Sequence, residues 1–318
     1  MRLSRLLCQD MKHADFGLRR FRLRPGPARH VLESAARAFI TGLNAAFDAR
    51  SAGALVDRLA TVDAEHAGFA WEGAGMGAAA LDLVTVSGGR RVARLLADPA
   101  GAYPHLVHVG IGWAYARLRL RPGSGLPSAD PLLRWLAWDG FGFHQGFFHA
   151  DRVIGGQRVE RGLAPGTRAV RDQGLGRALW FHECAEPEGV GLRIGEFEPG
   201  RRADLWSGIG LAATYAGGAD ADELARLVEL AGPYRAHLAQ GSAFASKARL
   251  VGAVVPAHTE LAARMITGAP AADAADWTEH ALVALGPGAA TLADYQRWRA
   301  NTRQLWERHL RERTAPVR

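Results

Sequence analysis

The chain has 318 residues, 48% hydrophobic and 22% charged, enough to bury a full core; its net charge of +7 comes almost wholly from arginine, since Lys12 and Lys247 are the only lysines. Two cysteines, Cys8 and Cys184, exclude a disulfide framework and a multi-cysteine metal site. The arginines are scattered rather than gathered into a stripe with interleaved aromatics, which argues against nucleic acid as a partner.

Asp10, Lys12 and Asp15 stand where a signal peptide needs its apolar run, and the apolar stretch Leu205–Ala219 is short and broken by glycines. The expectation is a soluble cytoplasmic protein with no direct membrane span. A basic segment through Arg19–Pro25 precedes an amphipathic helix at His30–Ala49 and a short one at Ala52–Ala60. A motif then recurs, with first glycines at Gly73, Gly110, Gly140, Gly174, Gly208 and Gly241, spaced by 37, 30, 34, 34 and 33 residues. Five copies read Gly-x-Gly, and the last has Ala243 for the second glycine. A period of about 34 residues predicts all-α helical-hairpin repeats forming a superhelix or an α/α toroid.

The clearest unit is Leu205–Gly218, a first helix stopped by Gly217-Gly218, followed by a second with Asp220 and Glu223 as a capping box. In the third unit, the charged, glycine-rich stretch Asp151–Arg171 reads as a long loop replacing the second helix. Thr259 reads as a helix cap and Glu260 as a first-turn acid. After Gly268 come a helix at Ala271–Leu285 and a final helix from Thr291 to about Arg311. The division is thus 1–67, an N-terminal helical region; 68–268, six Gly-x-Gly helix pairs; and 269–318, capping helices of one continuous domain.

Gly208-Ile209-Gly210 and Gly110-Ile111-Gly112 approach a dinucleotide fingerprint. Sixfold repetition, the bulky Trp113 and the lack of a preceding strand in most copies favour close helix packing instead. Just ahead of the glycines stand Glu72, His108, Asp139, Asp172 with Gln173, Ser207 and Gln240. Stacked repeats would bring these to one shared groove beside Trp71, Trp113, His144, Gln145, Arg177, Trp180 and Trp206. Glu72, His108, Asp139 and Asp172 are the acid–base candidates. Trp71, Trp113, His144, Gln145, Gln173, Arg177, Trp206, Gln240 and Lys247 are the substrate-binding ones. N-capping is the competing role for the Asp, Gln and Ser residues. His105, His108, His144, His149 and His182-Glu183 lack a common metal-ligand spacing, so no metal is assigned, and no cofactor is implied.

Together, GFAWEGAGMG, HVGIGWAYARL, DPLLRWLAWDGFGFHQGFF, DQGLGRALWF, LWSGIGLAATYAGG, AQGSAFASKAR and HTELA resemble the UnbL-type family. That bacterial family has no known biochemical function and recurs beside the iterative polyketide synthase of enediyne biosynthesis cassettes. The resemblance runs from the basic N-terminus to about His309 and implies a polyene or polyketide-derived small molecule as ligand, with the synthase or other cassette proteins as possible partners. It brings no catalytic residue with it. The expected function is binding and processing of a polyene-derived intermediate in a concave apolar site. The alternatives are a non-catalytic scaffold docking biosynthetic partners and a nucleotide-cofactor oxidoreductase.

Overall fold

The computed structural model describes residues 8–97, 103–123, 126 and 130–314. These form fifteen α-helices, and no strand occurs among the described residues. In chain order they are α1 Phe16–Arg19, α2 Ala28–Asp48, α3 Ala52–Leu59, α4 Ala67–Val84, α5 Arg90–Leu96, α6 Pro104–Arg117, α7 Leu136–Phe148 and α8 Pro165–His182. Then follow α9 Pro187–Glu196, α10 Pro199–Ala216, α11 Ala221–Ala231, α12 Arg235–Val251, α13 Ala257–Thr267, α14 Ala271–Val283 and α15 Leu292–Thr314.

The glycine-bearing helices α4, α6, α7, α8, α10 and α12 form a row in which each packs on the next, with α2 before them and α14 after. The glycines lie inside these helices rather than at their starts, where each costs about 1 kcal/mol of helix propensity relative to alanine. Tertiary contact explains the choice. A Cβ at the first glycine of a pair would overlap a carbonyl of the preceding helix: Gly110 on Glu72, Gly140 on Val109, Gly174 on Asp139, Gly208 on Gln173, Gly241 on Ser207. A Cβ at the second would meet a carbonyl of the following helix: Gly75 on Val107, Gly112 on Ala137, Gly142 on Arg171, Gly176 on Leu205, Gly210 on Leu238. Each Gly-x-Gly therefore serves two neighbours, at a separation only a bare Cα permits. Neighbouring members run parallel: Gly73 meets Phe39 and Leu43 while Gly77 meets Leu43 and Ala46. Gly42 lies against Ala70, which makes α2 a further member of the row, beyond the six found in the sequence. Buried inside helices, the Gly-x-Gly pairs form no phosphate loop.

Shorter helices connect the row, and α11 carries the capping box of Asp220 and Glu223. Between α7 and α8 stands one turn of π-helix, Asp151–Gly155. The connection there is shorter than expected, because Pro165 at the first helical position starts α8 six residues before Arg171. Thr259 is no cap: it lies inside α13, where its buried hydroxyl donates to the Thr214 carbonyl at 2.9 Å and pins α13 to α10. One hydrophobic core runs from Phe16 to Trp306. Among the described residues no helix is long and apolar enough to cross a membrane.

Candidate functional site

Close packing dictates the first feature of the site. When parallel helices approach to glycine contact, side chains at equivalent positions come within hydrogen-bond reach. The position before the first glycine carries Glu72, Val109, Asp139, Gln173, Ser207 and Gln240 in successive members. Gln173 Nε2 donates to Asp139 Oδ2 at 2.8 Å, and the Ser207 hydroxyl lies 3.1 Å from Gln173 Oε1 and 3.2 Å from Gln240 Oε1. A buried polar ladder thus crosses four helices. Glu72, Gln173, Ser207 and Gln240 stand well inside their helices, so none of them is an N-cap.

Val109 breaks the ladder between Glu72 and Asp139, and Arg177, one turn beyond Gln173, fills the gap. Its Nη1 donates to Asp139 Oδ1 at 2.5 Å and its Nη2 to Glu72 Oε2 at 3.4 Å. Trp113 Nε1 donates to Glu72 Oε1 at 2.9 Å. All four side chains are buried. Burial raises the Glu72 pKa; Arg177 opposes the rise and Asp139 adds to it. Burial works against the Arg177 charge, but Asp139 and Glu72 outweigh it and raise its pKa. The cluster sets one guanidinium between two carboxyls, and burial together with the neighbouring Asp139 favours retention of the proton by Glu72. Both Glu72 oxygens accept, Oε1 from Trp113 and Oε2 from Arg177.

Two apolar spaces meet at Arg177. A narrow slot of about 40 Å³ is walled by Phe39, Trp113, Phe143, Phe147 and Phe148, with Glu72 at its floor. Trp113 stands between Phe39 and Phe143, with ring centroids 4.3 and 4.9 Å away. A larger chamber of about 240 Å³ is bounded by Leu136, Leu211, Phe244, Tyr295 and Trp298, with Asp139 in its wall. Lys247 lines this chamber and pairs with Glu279 at 2.8 Å. His105 also lines it; burial, with His108 nearby, lowers its pKa to about 4, so the ring is neutral.

The structure brings Glu72, Trp113, Asp139, Gln173, Arg177 and Gln240 into one connected system. Lys247 joins only through the larger chamber. Asp172 faces away: Arg201 grips it through Nε and Nη2, both at 2.7 Å, and Arg171 adds a third contact. His108 is buried, with Nδ1 donating to the Pro104 carbonyl at 2.6 Å. Both lie two positions before their glycine, one residue off the ladder, which is why they point elsewhere. Trp71 packs toward Tyr103 at 6.1 Å, Trp206 is buried away from both spaces, and Gln145 is half-buried. His144 lies edge-on to Trp113 at 5.6 Å. Among the described residues, no three His, Cys, Asp or Glu side chains are grouped to hold a metal ion.

A family model described as "Protein of unknown function (DUF1702)" matches residues 2–305. The chain belongs to that family. The match takes in every member of the helix row and the ladder, so the site lies within the family's span. No curated protein and no solved structure matches the chain.

Several site residues carried no sequence signal of their own. Phe39, Phe143, Phe147, Tyr295 and Trp298 are apolar side chains on helices, and nothing in their spacing sets them apart from ordinary core residues. Helix α15 also buries Arg299, whose Nη2 donates to Asp204 at 2.8 Å. An arginine on a helix rich in arginines gives no hint that it is the buried one.

Proposed function

We propose that the chain binds an extended, apolar, conjugated small molecule, of the polyene or polyketide-derived class, and transfers a proton to or from it. The carrying observation is the buried Glu72 carboxyl, its pKa raised by burial, held by Trp113 and Arg177 at the floor of an aromatic slot. Aromatic walls suit a flat conjugated segment and exclude water, and the chamber of about 240 Å³ that shares Arg177 with the slot offers room for the rest of the chain. A buried carboxyl with a raised pKa is suited to give a proton to a developing carbanion or a conjugated oxygen. In this reading the helix row curves as a superhelix or toroid around the ligand, and the motif resemblance supplies the setting, enediyne or related polyketide biosynthesis in the cytoplasm. The test is incubation of the protein with a synthase-derived polyene, followed by absorbance. Wild type shifts the spectrum, whereas Glu72→Gln binds the polyene without the shift. Saturable binding with an unchanged spectrum in wild type would contradict a proton-transfer role.

One observation favours a second reading, a scaffold that docks acidic biosynthetic partners. A polar groove of about 570 Å³ is lined by Arg50, Arg90, Arg91 and Arg94. Arg91 is engaged by Asp82 at 3.0 Å. A carrier domain retained by the wild type but not by Arg50→Glu/Arg94→Glu would favour this reading; equal retention would remove it.

A further inference from the structure

A cavity of about 220 Å³ lies beside the aromatic slot, where α6 and α7 end. Arg117, Arg119, His144, Phe148 and His149 line it, and among the described residues no carboxylate does. Phe148 belongs to the walls of both spaces. His144 is 3% exposed, and among the described residues neither ring nitrogen has a hydrogen-bond partner. A buried neutral imidazole has one N–H to donate and one lone pair to fill, so two unmet groups on a single ring mark a place shaped for an occupant. Burial, with His149 and Arg117 adding, lowers its pKa to about 3, so the ring offers its N–H rather than a charge.

The charge around the cavity is of one sign. Arg152, Arg119 and Arg19 surround His149, and the Arg19 guanidinium sits over the Phe148 ring at 4.7 Å. Arg117 has one neutral neighbour: with its amide turned to accept, the Gln9 oxygen lies 2.9 and 3.0 Å from the two terminal guanidinium nitrogens. A concave site with several guanidinium groups and no counter-charge concentrates anions, and guanidinium pairs best with planar or tetrahedral oxyanions.

We infer that this cavity binds the anionic head group, a carboxylate or a phosphate, of a ligand whose apolar chain enters the aromatic slot past Phe148. Arg117 and Arg119 supply charge-assisted donors, His144 supplies an N–H, and Phe148 separates head from chain. Such a head-group site presupposes that the slot is a ligand site, so the experiment must tell failure of one from failure of the other.

The probes are three forms of one conjugated tetraene chain: parinaric acid, parinaryl phosphate and the neutral parinaryl alcohol. Each is titrated into the full chain by fluorescence. The acid, the phosphate or both should bind about tenfold or more tightly than the alcohol, with an advantage that shrinks as salt is added. Which anion gains more identifies the head. Arg117 and Arg119 are exposed, so the double variant Arg117→Gln/Arg119→Gln should fold normally. It should abolish the anion advantage and leave the alcohol's affinity unchanged. His144→Asn should reduce the advantage in the same selective way. Equal affinities for alcohol and anions would overturn the head-group site while leaving the slot intact, as would an anion advantage surviving in the double variant. Absence of binding by all three would overturn the slot and this site together.

Discussion

Trp113 and Glu72, 41 residues apart in sequence, meet through a 2.9 Å hydrogen bond at the floor of the slot. The indole is fixed by rings on either side, so the carboxyl it holds is fixed too. Trp113→Phe keeps the stacking and removes the donor. It should cost about 1–3 kcal/mol, the usual penalty for leaving a buried acceptor unpaired, measured by urea unfolding. An unchanged midpoint would mean that Glu72 does not depend on Trp113.

Arg177 carries the heaviest structural burden. Arg177→Met leaves Glu72 and Asp139 facing each other without a cation and should cost about 3–5 kcal/mol. The triple variant Glu72→Gln/Asp139→Asn/Arg177→Met removes all three ionisable groups and should recover much of that loss. Equal stability of the single and triple variants would contradict an ionised pair at this place.

Glycines separate into two kinds. Gly140→Ala drives a Cβ into the Val109 carbonyl and should destabilise by about 2–3 kcal/mol or more, despite the gain in helix propensity. Gly195, in α9, has no atom of the described residues within 4 Å of an added Cβ. Gly195→Ala should therefore stabilise by a few tenths to about 1 kcal/mol. Similar urea midpoints for the two variants would remove the packing role of the Gly-x-Gly pairs.

Two glutamates should give opposite pH dependences. Burial opposes ionisation of Glu183, but hydrogen bonds from His182 and Arg22 prevail and lower its pKa from 4.5 to about 2. Its contribution is present above pH 4.5 and lost as pH falls towards 2. Glu183→Gln should flatten that acid limb. The Glu72 pKa is raised from 4.5, mainly by burial, so its contribution is present below pH 4.5 and lost as pH rises through the higher folded value. Glu72→Gln should flatten the loss on that side. Thermal melts across pH check both signs.

The period of about 34 residues made the all-helical class and the packing role of glycine readable, because a mid-helix glycine pair recurring on schedule has few other uses. The capping box of Asp220 and Glu223 was equally plain, being local. The exact register was not. His108 and Asp172 are one residue off the ladder, a shift of about 100° around a helix, and sequence alone could not separate them from Val109 and Gln173. α2 escaped notice as a row member because Ile40 stands where the first glycine would, leaving only Gly42. Arg177 was named for its place near the motif, but its bridging of Glu72 and Asp139 joins three helices distant in sequence. No local pattern encodes such a contact.

Binding of a neutral conjugated chain in the slot tests the central claim most directly. Parinaryl alcohol, which emits strongly only in apolar surroundings, should bind wild type saturably at one site. Ala36→Phe, which fills the slot wall, should abolish the signal while leaving the helical circular dichroism unchanged. Emission that is absent in wild type, or equally strong in the filled variant, would contradict the account.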